Sequence, residues 1–91
     1  MTSGDTRRSH DPSQVTHLVS EMVRALVDDE DAVDVTAVVG THSVVLELNV
    51  SRHDVGKVIG KKGAHAKALR TIMTAAGGRQ KMRYILEIIE P

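Results

Sequence analysis

Apolar residues fall at Val15, Leu18, Val19, Met22, Val23, Leu26 and Val27. This is the i, i+3, i+4, i+7, i+8 recurrence that lays one stripe along one face of a helix. The residues just ahead supply a start. Asp11 can cap, Pro12 suits the first helical position, and Gln14 can reach back as in a capping box. The helix is expected to stop at Asp28-Asp29-Glu30-Asp31, because like charges there would meet the negative helix C-terminus. The acidic cluster reads as a solvated loop rather than as a metal site.

The period then changes. Residues 33–39, VDVTAVV, are short and β-branched, and Gly40-Thr41-His42 makes a turn. Over 43–50, Val44, Leu46, Leu48 and Val50 alternate with Val45, Glu47 and Asn49. The two runs predict an antiparallel hairpin with one buried face. Ser51-Arg52-His53-Asp54 is a second capping-box pattern and predicts a short helix over about 52–59, ending at Gly60. A further helix is predicted over about 64–76, with Ala68, Leu69, Ile72, Met73 and Ala76 inward and Gly77-Gly78 as its stop. Residues 82–89, MRYILEII, read as a last strand.

The predicted order is therefore helix, strand, strand, helix, helix, strand. A helical crossover joins the second and third strands, so they should lie side by side and parallel. The fold class expected is α+β: a mixed three-stranded sheet in the order 1-2-3, with three helices on one face. Residues 1–10 are polar and without periodicity, and are read as a disordered tail ahead of a single domain over 11–91. With helices on one side only, apolar surface is left over on the last strand, which predicts a dimer through the groove-side helices or the open sheet face.

One stretch fits this scheme badly. Residues 55–69, VGKVIGKKGAHAKAL, hold three glycines and four lysines in an otherwise helical run. Glycine inside a helix costs roughly 0.5–1 kcal/mol relative to alanine. Gly60-Lys61-Lys62-Gly63 falls between the two short helices, where two glycines permit a tight turn and close backbone approach. The turn opens onto a helix N-terminus, whose outward N–H groups and dipole favour an anion. Lys61 and Lys62 add charge at the tip. That chemistry suits phosphate.

Charge sharpens this picture. The 91 residues carry no net charge, but its distribution is uneven. Residues 1–51 hold three basic and nine acidic groups, whereas residues 52–70 hold six basic groups and one acid, Asp54. A local positive field recruits polyanions even when the whole chain is neutral. Hydrophobic residues at 41% and charged residues at 26% are ordinary globular values. There is no cysteine, which removes disulfides and thiolate metal sites and fits a reducing compartment. No apolar run approaches the roughly 18–20 residues that span a bilayer, and the N-terminus lacks the apolar stretch of a signal peptide. The chain is read as cytoplasmic, without a membrane partner.

Other phosphate motifs fail on spacing. A Walker A loop needs four residues between its glycines and a Ser or Thr after its lysine, whereas Gly56 and Gly60 are separated by three and no hydroxyl follows Lys62. A dinucleotide fingerprint follows a strand, and this loop follows a helix. Helix–GxxG–helix resembles the KH domain, whose loop clamps about four backbone nucleotides. Val58-Ile59-Gly60-Lys61-Lys62-Gly63, followed by Lys67, Ala68 and Leu69, looks like the KH signature, and the element order matches the type II arrangement. Over about residues 15–90 the chain is similar to the KhpA family of small bacterial single-KH RNA-binding proteins. It departs from the usual pattern at Ala64 and His65, which stand where that family often has Arg and a branched apolar residue.

The resemblance implies a module for single-stranded RNA, acting as an RNA chaperone or post-transcriptional regulator. Its RNA-binding residues would be Gly60, Lys61, Lys62, Gly63, Lys57, Ile59, Val58, His65, Lys67 and Arg70. Val55, Val58, Ile59, Ala66 and Leu69 would provide an aliphatic groove for bases. Tyr84 is the one aromatic residue, so stacking platforms of the RRM or OB type are excluded, while a KH groove needs none. Low sequence specificity is expected, since the groups near the loop are charges that suit phosphates rather than base edges. The resemblance also implies a partner, either a second copy or a KhpB-like protein with its own KH domain. A second reading makes the chain chiefly a protein-interaction module. No catalytic pairing, cofactor motif or metal spacing stands out, so an enzyme is not expected.

Overall fold

The computed structural model describes residues 11–90. The expected tail at 1–10 lies outside them. The helices are α1 (Ser13–Arg24), α2 (Val55–Ile59) and α3 (Ala64–Gln80). The strands are β1 (Asp34–Val39), β2 (Ser43–Asn49) and β3 (Arg83–Ile88). Short 3-10 turns occupy Glu30–Ala32, Arg52–Asp54 and Lys61–Gly63. The sheet order is β1-β2-β3, with β1 antiparallel and β3 parallel to the central β2. The α+β fold therefore has the order and the mixed sheet that the periodicities predict.

All three helices cover one face of the sheet. Val44, Leu46 and Leu48 of β2 point to that face and are fully buried, and Tyr84 and Leu86 of β3 join them. From the helical layer come Val15, Val19 and Val23 of α1, Val58 of α2, and Leu69 and Met73 of α3. Full burial of such a side chain contributes about 1.5–3 kcal/mol, so this layer carries most of the stability.

The structure corrects several local expectations. The regular part of α1 ends at Arg24, although Val27 still donates its N–H to the Val23 carbonyl at 3.2 Å. Leu18, counted in the inward stripe, is 41% exposed. Neither capping box forms. Asp11 does accept the Ser13 N–H at 2.9 Å, but Gln14 Oε1 accepts from Arg79 at 2.8 Å instead of reaching back. At Ser51 the hydroxyl pairs with His53 Nδ1 at 2.9 Å, because the Asp54 carboxylate is turned into the protein.

The largest difference is at the end of α3. The helix runs through Gly77-Gly78 to Gln80 and closes at Lys81, which adopts a left-handed φ of 60°. Its buried positions are Ala66, Leu69, Met73, Gly77 and Gln80, so Ala68 and Ile72 face outward. Gly77 belongs to the inner face because β3 passes so close that a Cβ there would overlap the Met82 carbonyl oxygen. Gln80 accepts the Tyr84 hydroxyl at 2.6 Å and donates to the Asp11 carbonyl at 3.4 Å, tying β3 to the start of α1. Burial, helped by the Asp11 charge, pushes the Tyr84 pKa up.

Candidate nucleic-acid interface

The loop between α2 and α3 folds as its glycines suggest. Gly60 has φ 78° and ψ 169°, a region that side chains essentially exclude. Lys62 and Gly63 follow in left-handed conformations, at φ 58° and 74°. The Gly63 N–H closes the turn on the Gly60 carbonyl at 3.0 Å. A Cβ on Gly63 would meet open space, so the backbone there is accessible to a ligand. α3 begins immediately afterwards with no side-chain cap. The Ala64 N–H bonds back to the Lys61 carbonyl, and the N–H groups that follow it lack intrahelical acceptors, as at any helix start.

Lys61 and Lys62 are exposed at the tip, and Lys67 is exposed one turn into α3. Among the described residues no carboxylate lies within ion-pair distance of these three. The loop thus presents free ammonium groups, open backbone and a helix start at one place. Such a set binds anions, and phosphate above all.

His65 is spent differently. Its ring lies over Gly60, where an added Cβ would come within 2.5 Å of the imidazole Cγ. Its Nδ1 donates to the Lys57 carbonyl at 2.7 Å, linking the start of α3 to α2. Lys57 is also engaged. Its Nζ lies 3.2 Å from Asp28 Oδ2 and 3.6 Å from Asp54 Oδ1. Hydrogen bonding to Asp28 and the carboxylate charges hold its pKa above the usual lysine value.

Asp54 is the centre of this network. It is completely buried and accepts the backbone N–H groups of Asp28 at 3.1 Å and Asp29 at 3.0 Å. Burial works to raise its pKa, but those two N–H groups, with the His53 and Lys57 charges, outweigh it and hold the carboxyl below its ordinary value. Asp28, His53 and Asp54 offer ligand atoms within 4.8 Å of one another. The Lys57 ammonium already sits against both carboxylates, so the arrangement is an ion-pair network rather than a cation site. It staples the connection after α1 to the helix that leads into the loop.

The apolar residues expected in a groove divide into two groups. Val58, Ala66 and Leu69 are core, at 0%, 4% and 4% exposure, while Val55 and Ile59 keep partial access to solvent beside the loop. Arg70 turns toward β3, where its Nη2 lies 3.4 Å from the Leu86 carbonyl. Here α3 and the free edge of β3 enclose an open cleft of about 670 Å³, bordered by His42, Arg70, Thr74, Lys81, Arg83 and Ile85. Lys67, Arg70, Thr74, Gly78 and Lys81 follow one another at three- and four-residue steps, so one face of α3 runs from the loop to the cleft. Sequence reasoning missed the distal part, namely His42, Thr74, Lys81 and Arg83. For Thr74 and Lys81 the continuing period after Lys67 and Arg70 was the available signal, hidden by reading Gly77-Gly78 as a stop, whereas His42 and Arg83 reach the cleft from the sheet and had no such signal.

A GxxG turn joining two helices on a sheet with this mixed topology defines a type II KH domain. The match to known proteins is specific: the family model for the KH domain of KhpA and KhpB covers residues 16–88, and the chain belongs to that family. A protein of Caldanaerobacter subterraneus subsp. tengcongensis, named RNA-binding protein KhpA, is 49% identical over 72 residues, 79% of this chain and 96% of that protein. A protein of the same name from Aquifex aeolicus is 46% identical over 78 residues, 86% of this chain and 99% of its own length. One from Treponema pallidum is 47% identical over 73 residues, 80% of this chain and 91% of its own. No solved structure matches. No helix among the described residues is long and apolar enough to cross a membrane.

Proposed function

We propose that this chain is an RNA-binding module rather than an enzyme, and that it grips single-stranded RNA by its backbone. The observation that carries this reading is the exposed Gly60-Lys61-Lys62-Gly63 turn, which presents open backbone, and lysines with no carboxylate partner among the described residues, at a helix start without a side-chain cap. The printed name of the relatives, RNA-binding protein KhpA, supports the same reading. Lys61 and Lys62 contact phosphates, Gly60 and Gly63 admit the strand, and Lys67 and Arg70 guide it toward the α3–β3 cleft. Val55 and Ile59 offer apolar surface to bases. His65 and Lys57 act through the loop's shape, since both are already bonded within the protein.

Sequence preference is weak in this reading. The side chains along the path are mostly cations, and good base discrimination needs bidentate groups worth about 1–3 kcal/mol each. We further propose that the chain works with a second KH chain, either its own copy or a KhpB-like protein, as a small RNA chaperone or post-transcriptional regulator. The test is Lys61→Asp with Lys62→Asp. Affinity for a mixed-sequence single strand should be lost while the far-ultraviolet circular dichroism stays unchanged. Wild-type binding should fall steeply as salt rises, as phosphate contacts require. Unchanged affinity in the double variant would remove the backbone-clamp reading. Affinity indifferent to salt would favour a protein-interaction module instead.

A further inference from the structure

Asp54 is the one buried carboxylate among the described residues. Being fully buried, it cannot touch RNA itself. It stands just before α2, where a side chain ordinarily turns back to cap the helix, and it makes no such cap. Its two oxygens instead take the N–H groups of consecutive residues, Asp28 on Oδ1 at 3.1 Å and Asp29 on Oδ2 at 3.0 Å. A buried charge is costly unless it is paired and hydrogen-bonded. Well-packed apolar residues often stabilise a core as well as a buried ion pair does, so stability alone does not account for a carboxylate here.

Its place in the fold supplies another reason. α2 has five residues, no side-chain cap, and Val58 as its buried anchor. A helix so short does not hold itself. At its start Asp54 clamps it to the backbone that follows α1. One turn on, Lys57 reaches back to Asp54 Oδ1 at 3.6 Å and to Asp28 Oδ2 at 3.2 Å. The Lys57 carbonyl accepts His65 Nδ1 at 2.7 Å, and the His65 ring lies over Gly60. Contacts thus run without a break from the Asp28 and Asp29 backbone to the first glycine of the GKKG turn. Five helical residues span roughly 7.5 Å, so a tilt of about 10° at the start of α2 carries Gly60 about 1 Å. A binding constellation has to be held to about 0.5 Å.

We propose that Asp54 is a positioning residue for RNA binding: it fixes the tilt of α2 on the backbone of residues 28–29 and so holds the GKKG turn, through Lys57 and His65, in the shape that grips a strand. The inference rests on the RNA-binding reading above and adds what sets the geometry of its loop. Its consequence is opposite in sign to simple electrostatics. Removing a negative charge close to a basic turn should strengthen its attraction for a polyanion. A positioning role requires that neutral asparagine weaken binding instead. Asparagine has one oxygen for two N–H groups, and its own amide would face the second donor.

The experiment titrates a labelled single-stranded RNA of mixed sequence with the full chain, and follows the backbone amides of the RNA-free protein by nuclear magnetic resonance. Asp54→Asn should bind at least about fivefold more weakly than wild type, the low end of ordinary coupling between two sites. The deficit should persist as salt rises, because a charge effect is screened and a change of shape is not. The Gly60 and Gly63 amide resonances should move in the RNA-free variant, which a residue serving stability alone would leave in place. Asp31→Asn removes the same charge from an exposed position outside the network, and should bind at least as tightly as wild type with both resonances unmoved. Asp28→Asn loses only an exposed ion pair to Lys57, and should bind about twofold more weakly. Circular dichroism checks that each variant is folded. If Asp54→Asn does not fold, Asp28→Asn decides: binding weaker than that of Asp31→Asn, with Gly60 moved, upholds the proposal, and equal binding overturns it. If Asp54→Asn is folded and binds as tightly as wild type, or if the two glycine resonances stay in place, Asp54 does not position the loop and the RNA-binding reading stands. If wild type binds no RNA, or if Lys61→Asp with Lys62→Asp binds as wild type does, that reading fails and this inference fails with it.

Discussion

Two pairs of glycines flank the body of α3, and they answer to different constraints. Gly60 and Gly63, before the helix, have φ values of 78° and 74°. Gly77 and Gly78, in its last turns, are helical. In the first pair the backbone conformation favours glycine, at Gly60 most strongly, and Gly63 leaves space where a side chain would be. In the second pair conformation demands nothing. Gly77 is required by the carbonyl of Met82 against it, whereas a Cβ on Gly78 would touch nothing. The same residue type thus marks an open turn at one end of the helix and a helix–strand contact at the other. Sequence shows a glycine but not which of these constraints holds it.

The largest effect tests the packing role. Gly77→Ala drives a methyl group into the Met82 carbonyl and against the Tyr84 ring, so β3 must shift relative to α3. Overpacking of this kind costs about 3 kcal/mol at the upper end of the usual range. For a domain this small, that is roughly 12–24 °C in Tm. Thermal unfolding measures it directly. A loss below about 1 kcal/mol would mean that the strand yields easily, and the contrast between the two glycine pairs would collapse.

Gly60→Ala should come next, at about 2 kcal/mol, for a conformation that side chains essentially exclude. It must also push His65 off the Lys57 carbonyl, so the loop should lose shape as well as stability. RNA affinity should therefore fall even though no charge is removed. A variant that is less stable but binds RNA normally would separate loop shape from binding and leave only the lysines as determinants.

Much of this contrast was legible in the chain before any coordinates. The 3.6-residue stripe of Val15, Val19 and Val23, the alternation of Val44, Leu46 and Leu48, and the apolar run read as a strand over 82–89 are local patterns. Burial enforces them, and they carried the element order and the sheet topology. The Gly60–Gly63 spacing was legible for the same reason, since a tight turn with close approach is a local property. What escaped depends on distant neighbours. Lys57 looked like a free cation because Asp28, its partner, lies in the acidic loop that read as solvated. Asp54 looked like half of a capping box, yet the N–H groups of Asp28 and Asp29 drew its carboxylate inward. Gly77-Gly78 looked like a stop because only the approach of β3 explains a glycine on a buried helix face, and that misreading also turned Ile72 inward.

Gly63→Ala sharpens the comparison within the first pair. A left-handed residue other than glycine costs roughly 1–2 kcal/mol, and no neighbour resists the methyl group. Its stability loss should sit near 1 kcal/mol, at the low end and below that of Gly60→Ala. Its effect on RNA should be at least as large, because the methyl group occupies the space a phosphate would use. Chemical denaturation and RNA titration on the two variants should rank them in opposite orders. The same ranking in both assays would show that Gly63 serves only the turn.

The smallest effect has the opposite sign. Gly78 lies inside α3 with helical geometry, exposed, and with no atom within 4 Å of an added Cβ. Alanine there removes the entropic cost of a helical glycine, and helix propensity predicts a gain of about 0.5–1 kcal/mol. Gly78→Ala should thus stabilise the protein where its immediate neighbour destabilises it. Gly78 also borders the α3–β3 cleft, so the substitution reports on more than propensity. A methyl group on that wall leaves the GKKG loop untouched. If RNA runs the length of the cleft, affinity for a long strand should drop while affinity for a four-nucleotide strand stays constant. If both are unchanged and stability rises, the strand leaves the protein before it reaches Gly78, and Lys81 and Arg83 lie beyond its path. If stability falls as it does for Gly77→Ala, the two glycines share one packing role, and the helix end is more tightly held than the geometry around Gly78 implies.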